Sequence, residues 1–367
     1  MTPLHFSHCN RLQRVGSSIR LSTFLLLTSM FPISSQSQTP AVKNYPPEIQ
    51  EIHYLSSADN NEQPALFFAP ADKEGKRPLL VALHTWSGNH LQAGGETVYA
   101  KWCIDQGWAF IHPNFRGPNW RPEAMGSELA VGDILSAVEY ARNKTSIDGN
   151  RIYCVGVSGG GYASLLMAGR TPEIWAGVSA WAGIDDIAKW HNETKEAGRG
   201  YWKNIEKALG GDPNSDQKLK AEADRRSPKN WLTNAFKVNL DINHGINDGR
   251  TGSVPFSHSL HAFNQVLPAA SPDRIPPEAI AKAWTTGTPD PLPGSQSLDD
   301  PLYGERPPVY RKTSGNTRVT LFQGGHEIVH LAALNWLAQQ RKGEPANWKV
   351  KKTADVKTTE QETQSGK

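Results

Sequence analysis

The stretch from Arg151 to Arg170, RIYCVGVSGGGYASLLMAGR, constrains this chain more than any other. Its first half, Ile152-Tyr153-Cys154-Val155 with Val157, is an apolar, β-branched and aromatic run that follows the turn residues Asp148-Gly149-Asn150, and it predicts a fully buried strand. Its second half predicts a helix. Between them, Gly156-Val157-Ser158-Gly159-Gly160 supplies G-x-S-x-G at a strand-to-helix junction, the setting in which a serine is held on a sharp, strained turn. Gly156 and Gly160 remove side chains that would strike the adjoining strand and helix. Gly159 and Gly161 allow close packing and leave first-turn amides free to face developing negative charge. Ser158 is thus the candidate nucleophile. A glycine-rich turn between a core strand and a core helix would show the same letters, and it is the junction that favours chemistry.

The same alternation recurs along the chain. Strands are expected at 51–55 and 65–69, joined as a hairpin through Ala58-Asp59-Asn60-Asn61, then at 79–84, 108–113, 176–182, 238–244 and 318–322. Helices are expected at 91–106, 127–143 and 327–340; in the second, Val131, Ile134, Leu135, Val138 and Ala141 share one face. This order predicts an α/β fold: a mostly parallel sheet flanked by helices on both faces, with sites at the carboxyl ends of its strands. Two insertions over the active face interrupt it, at 185–236 and at 267–317. The second is rich in proline and glycine and predicts a lid or substrate-facing loop, with a solvated insertion of no function as the alternative.

The chain of 367 residues suits one catalytic domain over 38–343, followed by a polar, disordered tail over 344–367. Residues 1–37 have the pattern of a secretory signal: Arg11, Arg14 and Arg20, then the apolar run Leu21 to Ile33, then Ser34, Ser35 and Ser37. A secreted or periplasmic protein is expected, with no stable membrane anchor once the signal is cleaved; an uncleaved anchor is the alternative. The three arginines account for the formal charge of +3. A neutral remainder argues against nucleic acid as a partner. Cys103 and Cys154 are expected to be free buried thiols.

A serine hydroxyl needs a base within hydrogen-bond reach and a carboxylate to orient that base. His326 follows the strand at 318–322 through Gln323-Gly324-Gly325, and Asp248 follows the strand at 238–244 through Gly245-Ile246-Asn247. Ser158, Asp248 and His326 are therefore the expected catalytic set. Asp185 and Asp186, at the end of the strand at 176–182, compete for the role of acid. His84 and His244 end core strands and are expected to bond the backbone. A rival pattern overlaps the base: residues 326–330 read HEIVH, the H-E-x-x-H of zinc peptidases, although glycines place His326 at a helix entrance and no third ligand stands at the usual spacing. The expected oxyanion donors are the amides of Gly159 and Trp86, with Thr85 as runner-up. Trp86, Trp120 and Trp181 fall near the active face and are expected to bind a sugar or aromatic group, with core packing as the alternative.

Together, RIYCVGVSGGGYASLLMAGR, HGINDGRTGSVPFSHSL and FQGGHE resemble the catalytic domain of the prolyl oligopeptidase-like branch of the α/β-hydrolases, a branch that includes acetyl and other carboxyl esterases. The resemblance spans residues 64–342 and implies Ser158 as nucleophile, Asp248 as acid and His326 as base. Thr85 follows His84 where the family usually has glycine, and five residues separate Asp248 from Val254 where it commonly has two. The large propeller of true oligopeptidases is not expected here. The expectation is a carboxylesterase for small or carbohydrate-linked esters, without metal or organic cofactor. The alternatives are a serine peptidase for short peptides, a zinc peptidase through residues 326–330, and a non-catalytic binding protein on the same fold.

Overall fold

The structure, a computed structural model, describes residues 42–71 and 75–349. The expected signal at 1–37 and residues 350–367 of the expected tail lie outside the described residues.

The strands are β1 (Gln50–Leu55), β2 (Glu62–Phe68), β3 (Arg77–Leu83), β4 (Ala109–Pro113), β5 (Ile147–Val157), β6 (Gly177–Trp181), β7 (Leu240–Gly245), β8 (Pro308–Ser314) and β9 (Thr317–Phe322). The helices are α1 (Glu96–Gln106), α2 (Glu128–Lys144), α3 (Gly159–Arg170), α4 (Ile187–Glu196), α5 (Tyr201–Leu209), α6 (Gln217–Arg226), α7 (Ser257–Val266), α8 (Pro277–Thr286) and α9 (His330–Ala338). One sheet runs in the order β1-β2-β4-β3-β5-β6-β7-β9-β8. The run from β4 to β9 is parallel; β1 and β2 at one edge and β8 at the other are antiparallel. This is the α/β-hydrolase arrangement expected from the strand and helix alternation.

Side chains of a strand alternate between faces, so a strand covered on both sides must be apolar throughout. In β3, Leu79, Val81 and Leu83 enter one hydrophobic core with α2, α3 and α7, while Leu80 and Ala82 enter a second with α1 and α9. Likewise β5 gives Ile152 and Cys154 to the first and Tyr153 and Val155 to the second. Both cores being filled, the chemistry is left to the loops at the strand ends.

Several boundaries differ from expectation, and three of them have a local reason. Helix α1 begins at Glu96, since Gly94 and Gly95 form its entry. Helix α9 begins at His330, because residues 326–329 stay non-helical. The stretch at 267–317 is not one excursion: it contains α8 and the edge strand β8, which pairs with β9. Proline concealed β8, yet Pro308 is its first residue on an edge, where a missing N–H is tolerated.

Candidate active site

The ends of β5, β7 and β9 carry the candidate residues to one rim. Ser158, between β5 and α3, has φ 60° and ψ −120°, a left-handed conformation that a serine side chain rarely adopts. Its backbone is pinned on both sides: its amide donates to the Trp181 carbonyl at 2.9 Å, and its carbonyl accepts from the Tyr162 amide at 2.8 Å. A Cβ on Gly160 would stand 2.2 Å from the Leu83 carbonyl oxygen, so only glycine lets α3 start this close to β3.

Asp248 is fully buried in the turn after β7. Its Oδ2 accepts from His326 Nδ1 at 2.6 Å and from His244 Nε2 at 2.9 Å, while Oδ1 accepts from the amides of Gly249 at 2.7 Å and Val254 at 3.2 Å. Burial pushes its acidity toward the neutral form, but the bonds from His244 and His326 outweigh that and hold the carboxyl well below the usual range. An ionised carboxylate only accepts, so Nδ1 of His326 carries the proton and Nε2 presents a lone pair. Nε2 lies 3.5 Å from the Ser253 hydroxyl. Ser158 and His326 line the same cavity, of about 410 Å³, together with Thr85, Trp86 and Tyr201.

The proposed oxyanion donors are neighbours. A Cβ on Gly159 would stand 2.3 Å from the Trp86 amide nitrogen, so the two backbones touch. The Thr85 amide, the runner-up, donates instead to Gln92 Oε1 at 3.2 Å. As the first amide of α3, Gly159 N–H has no intrahelical acceptor.

The tryptophans separate. Trp86 lines the cavity, its Nε1 donating to Asn204 of α5 at 3.2 Å and its ring meeting Trp190 edge-on at 4.8 Å. Trp181 is a correction: it is fully buried, donates to Ser179 Oγ at 2.8 Å and packs on Tyr303 and Phe322, so it fills the second core and does not meet substrate. Strand β6 presents its side chain away from the rim that its carbonyl serves. Trp120 is half-buried and is not among the residues lining this cavity.

The competing acids are engaged elsewhere. Asp185 bonds His258, whose other nitrogen bonds Glu193 at 2.7 Å; Asp186 caps α4 through the Lys189 amide at 3.1 Å and pairs with Lys229 at 2.8 Å. The zinc-peptidase pattern at 326–330 is also corrected. That motif needs both histidines on one helical face, but His326 precedes α9 and is tied to Asp248, while His330 opens the helix. Among the described residues, ligand-type atoms of His191, Glu206 and Asp212 do lie within 4.8 Å of one another. Lys195 stands 3.5 Å from Asp212 and supplies positive charge there, so this group is an ion-pair network joining α4 to α5.

Sequence reasoning missed His244 and Ser253. His244 does bond a backbone carbonyl, that of Val254 at 3.0 Å, but also the Asp248 carboxylate. Its spacing four residues before Asp248 across a tight turn was the available signal. Nothing local marks Ser253.

Fold and residue set together define an α/β-hydrolase. Residues 97–269 match the prolyl oligopeptidase family, a range that includes Ser158 and Asp248 but ends before His326. The chain thus carries a serine-hydrolase domain of the prolyl oligopeptidase family. It is 26% identical over 145 residues to feruloyl esterase B of Thermothelomyces thermophilus, covering 37% of this chain and 49% of that one. It is 24% identical over 124 residues to acetylxylan esterase A of Emericella nidulans, covering 32% and 41%. It is 28% identical over 248 residues to dipeptidyl aminopeptidase BIII of Pseudoxanthomonas mexicana, covering 61% and 33%. The match therefore spans less than half the length of each of these relatives.

Proposed function

We propose that this chain is a secreted or periplasmic serine esterase acting on small or carbohydrate-linked esters, with Ser158 as nucleophile. One observation carries the reading: the Asp248–His326 pair, at 2.6 Å, borders the cavity into which the strained Ser158 turn opens. Ser158 Oγ attacks the acyl carbonyl as its proton passes to His326 Nε2, and the Asp248 carboxylate stabilises the imidazolium. The Gly159 and Trp86 amides receive the oxyanion; each such donor is typically worth about 2.7–4 kcal/mol of transition-state stabilisation. His326 returns the proton to the leaving alcohol, and water then releases the acyl group by the same steps in reverse. The names of the feruloyl and acetylxylan esterases support an ester substrate. A peptidase is the second reading, supported by the dipeptidyl aminopeptidase relative.

A fluorophosphonate probe tests the nucleophile: a Ser158 adduct in folded protein is expected, and its absence counts against the proposal. Short p-nitrophenyl esters set beside aminoacyl anilides distinguish the two readings, and turnover of the anilides alone sinks the esterase. The Arg-rich start and apolar run at 21–33 support export, which cell fractionation tests.

A further inference from the structure

Nε2 of His326 is the atom that must take and return protons, and the Ser253 hydroxyl lies 3.5 Å from it. Among the described residues no other hydrogen bond engages that hydroxyl. The backbone around it is fixed. The Ser253 carbonyl accepts from Trp190 Nε1 at 3.0 Å, and the next residue, Val254, is tied through its amide to Asp248 at 3.2 Å and through its carbonyl to His244 at 3.0 Å. A Cβ on Gly252 would stand 2.1 Å from Asp248 Oδ1 and 2.7 Å from His326 Cβ, so this loop packs directly on the acid and the base.

Ser253 also borders a second cavity, of about 190 Å³, together with Glu193, Glu196 and Arg199. Charged walls around such a volume suit water. Arg199, just before α5, lines this cavity, while Tyr201, the first residue of α5, lines that of Ser158. The two cavities are therefore neighbours at the start of α5 and at the contact between Ser253 and His326.

Once an acyl group is on Ser158, that oxygen has no hydrogen to give, and the proton that His326 takes next must come from water. A contact of 3.5 Å is longer than a settled O–H···N bond, so one water can rest against both Ser253 Oγ and His326 Nε2. One hydrogen of that water points at Nε2 and the other at Oγ, which leaves an oxygen lone pair for the acyl carbonyl. The Ser253 hydroxyl can accept because its own hydrogen is free to rotate away.

We propose that Ser253 orients the hydrolytic water that releases the acyl-enzyme. The water oxygen bonds the acyl carbon as its proton passes to His326 Nε2; the bond from that carbon to Ser158 Oγ then breaks, Nε2 returns the proton to Oγ, and the carboxylic acid leaves. This rests on the esterase reading above.

The test compares Ser253→Ala and Ser253→Thr with the unaltered chain after acetylation by p-nitrophenyl acetate. Mass spectrometry follows the decay of the acetyl-enzyme, and kcat/KM reports acylation. In the Ala variant the decay should slow by about fivefold or more with kcat/KM unchanged, so that kcat and KM fall together and a burst of p-nitrophenol appears. The Thr variant, which keeps a hydroxyl, should decay near the native rate. Equal losses in acylation and release would make Ser253 a support for His326 alone and overturn the inference. So would an Ala variant that decays at the native rate or no longer reacts with a fluorophosphonate, a Thr variant as slow as the Ala one, or an acetyl group found on Ser253 in place of Ser158. If the unaltered chain hydrolyses no ester, the esterase reading itself falls, and this inference with it.

Discussion

His244 Nε2 stands 2.9 Å from the same oxygen of Asp248 that receives His326 Nδ1. Ser259 Oγ, 2.7 Å from His244 Nδ1, can donate to that nitrogen, which leaves the proton on Nε2 directed at the carboxylate. Two imidazoles thus share one anion, and His244 is a positioning residue for the proposed base. His244→Phe should lower kcat by about tenfold or more, since a hydrogen bond to a charged group is worth about 1.5–3 kcal/mol. His244→Gln, which can keep an N–H donor near that place, should lose less. A merely structural role would not be rescued by such a donor, nor confine the loss to turnover; here kcat should fall in the Phe variant with KM unchanged, and recover in part in the Gln variant.

Asp248→Asn should reduce kcat by about 10⁴-fold by favouring the wrong tautomer of His326. It also carries a stability signature. The carboxyl is depressed in the folded state, so its contribution is present above its ordinary value of about 3.9 and is lost as pH falls toward the folded value. The difference in Tm between the native chain and the variant should therefore narrow below about pH 4 in calorimetry.

Trp86 and Trp181 should respond in opposite ways. Trp181→Ala removes a fully buried ring from the core and should destabilise the fold by about 3–5 kcal/mol in urea, with KM unchanged. Trp86→Ala should raise KM, because that ring borders the cavity. A rise in KM for the Trp181 variant would show that this ring reaches the substrate after all.

The trio Asp185, His258 and Glu193 bounds stability on both sides. Burial lowers the affinity of His258 for a proton, but the Glu193 charge and Asp185 outweigh it and bring the group up to about 9. A raised histidine stabilises fully below its unfolded value, about 6.5, and that contribution disappears as pH rises through about 9. Asp185 and Glu193 are depressed despite burial, so their contribution disappears in acid. Tm should thus be greatest between the carboxylate range and neutrality and fall by pH 9. His258→Gln should begin lower, because the buried Asp185 and the partly buried Glu193 lose the cation they share, and should lack the alkaline fall.

The parallel strands were legible because a strand buried on two faces must be apolar at every position, as Leu79 to Leu83 are. The glycines around Ser158 were legible because backbone proximity forbids anything larger. Side-chain direction was not: Trp181 sits at a strand end, yet the two-residue alternation turns it into the core. Proline hid β8 by imitating a loop. Residues 326–330 carried a helical motif whose first member is held out of the helix by Asp248, a partner 78 positions away that no local pattern reveals.

Helix α5 brings Tyr201 to the cavity and, through Asn204, fixes the indole of Trp86. One wall of the cavity is therefore furnished by a segment spliced between β6 and β7, while the proposed catalytic trio hangs from the sheet itself. Exchanging the spliced helices would reshape that wall and leave the strand ends beneath it as they are.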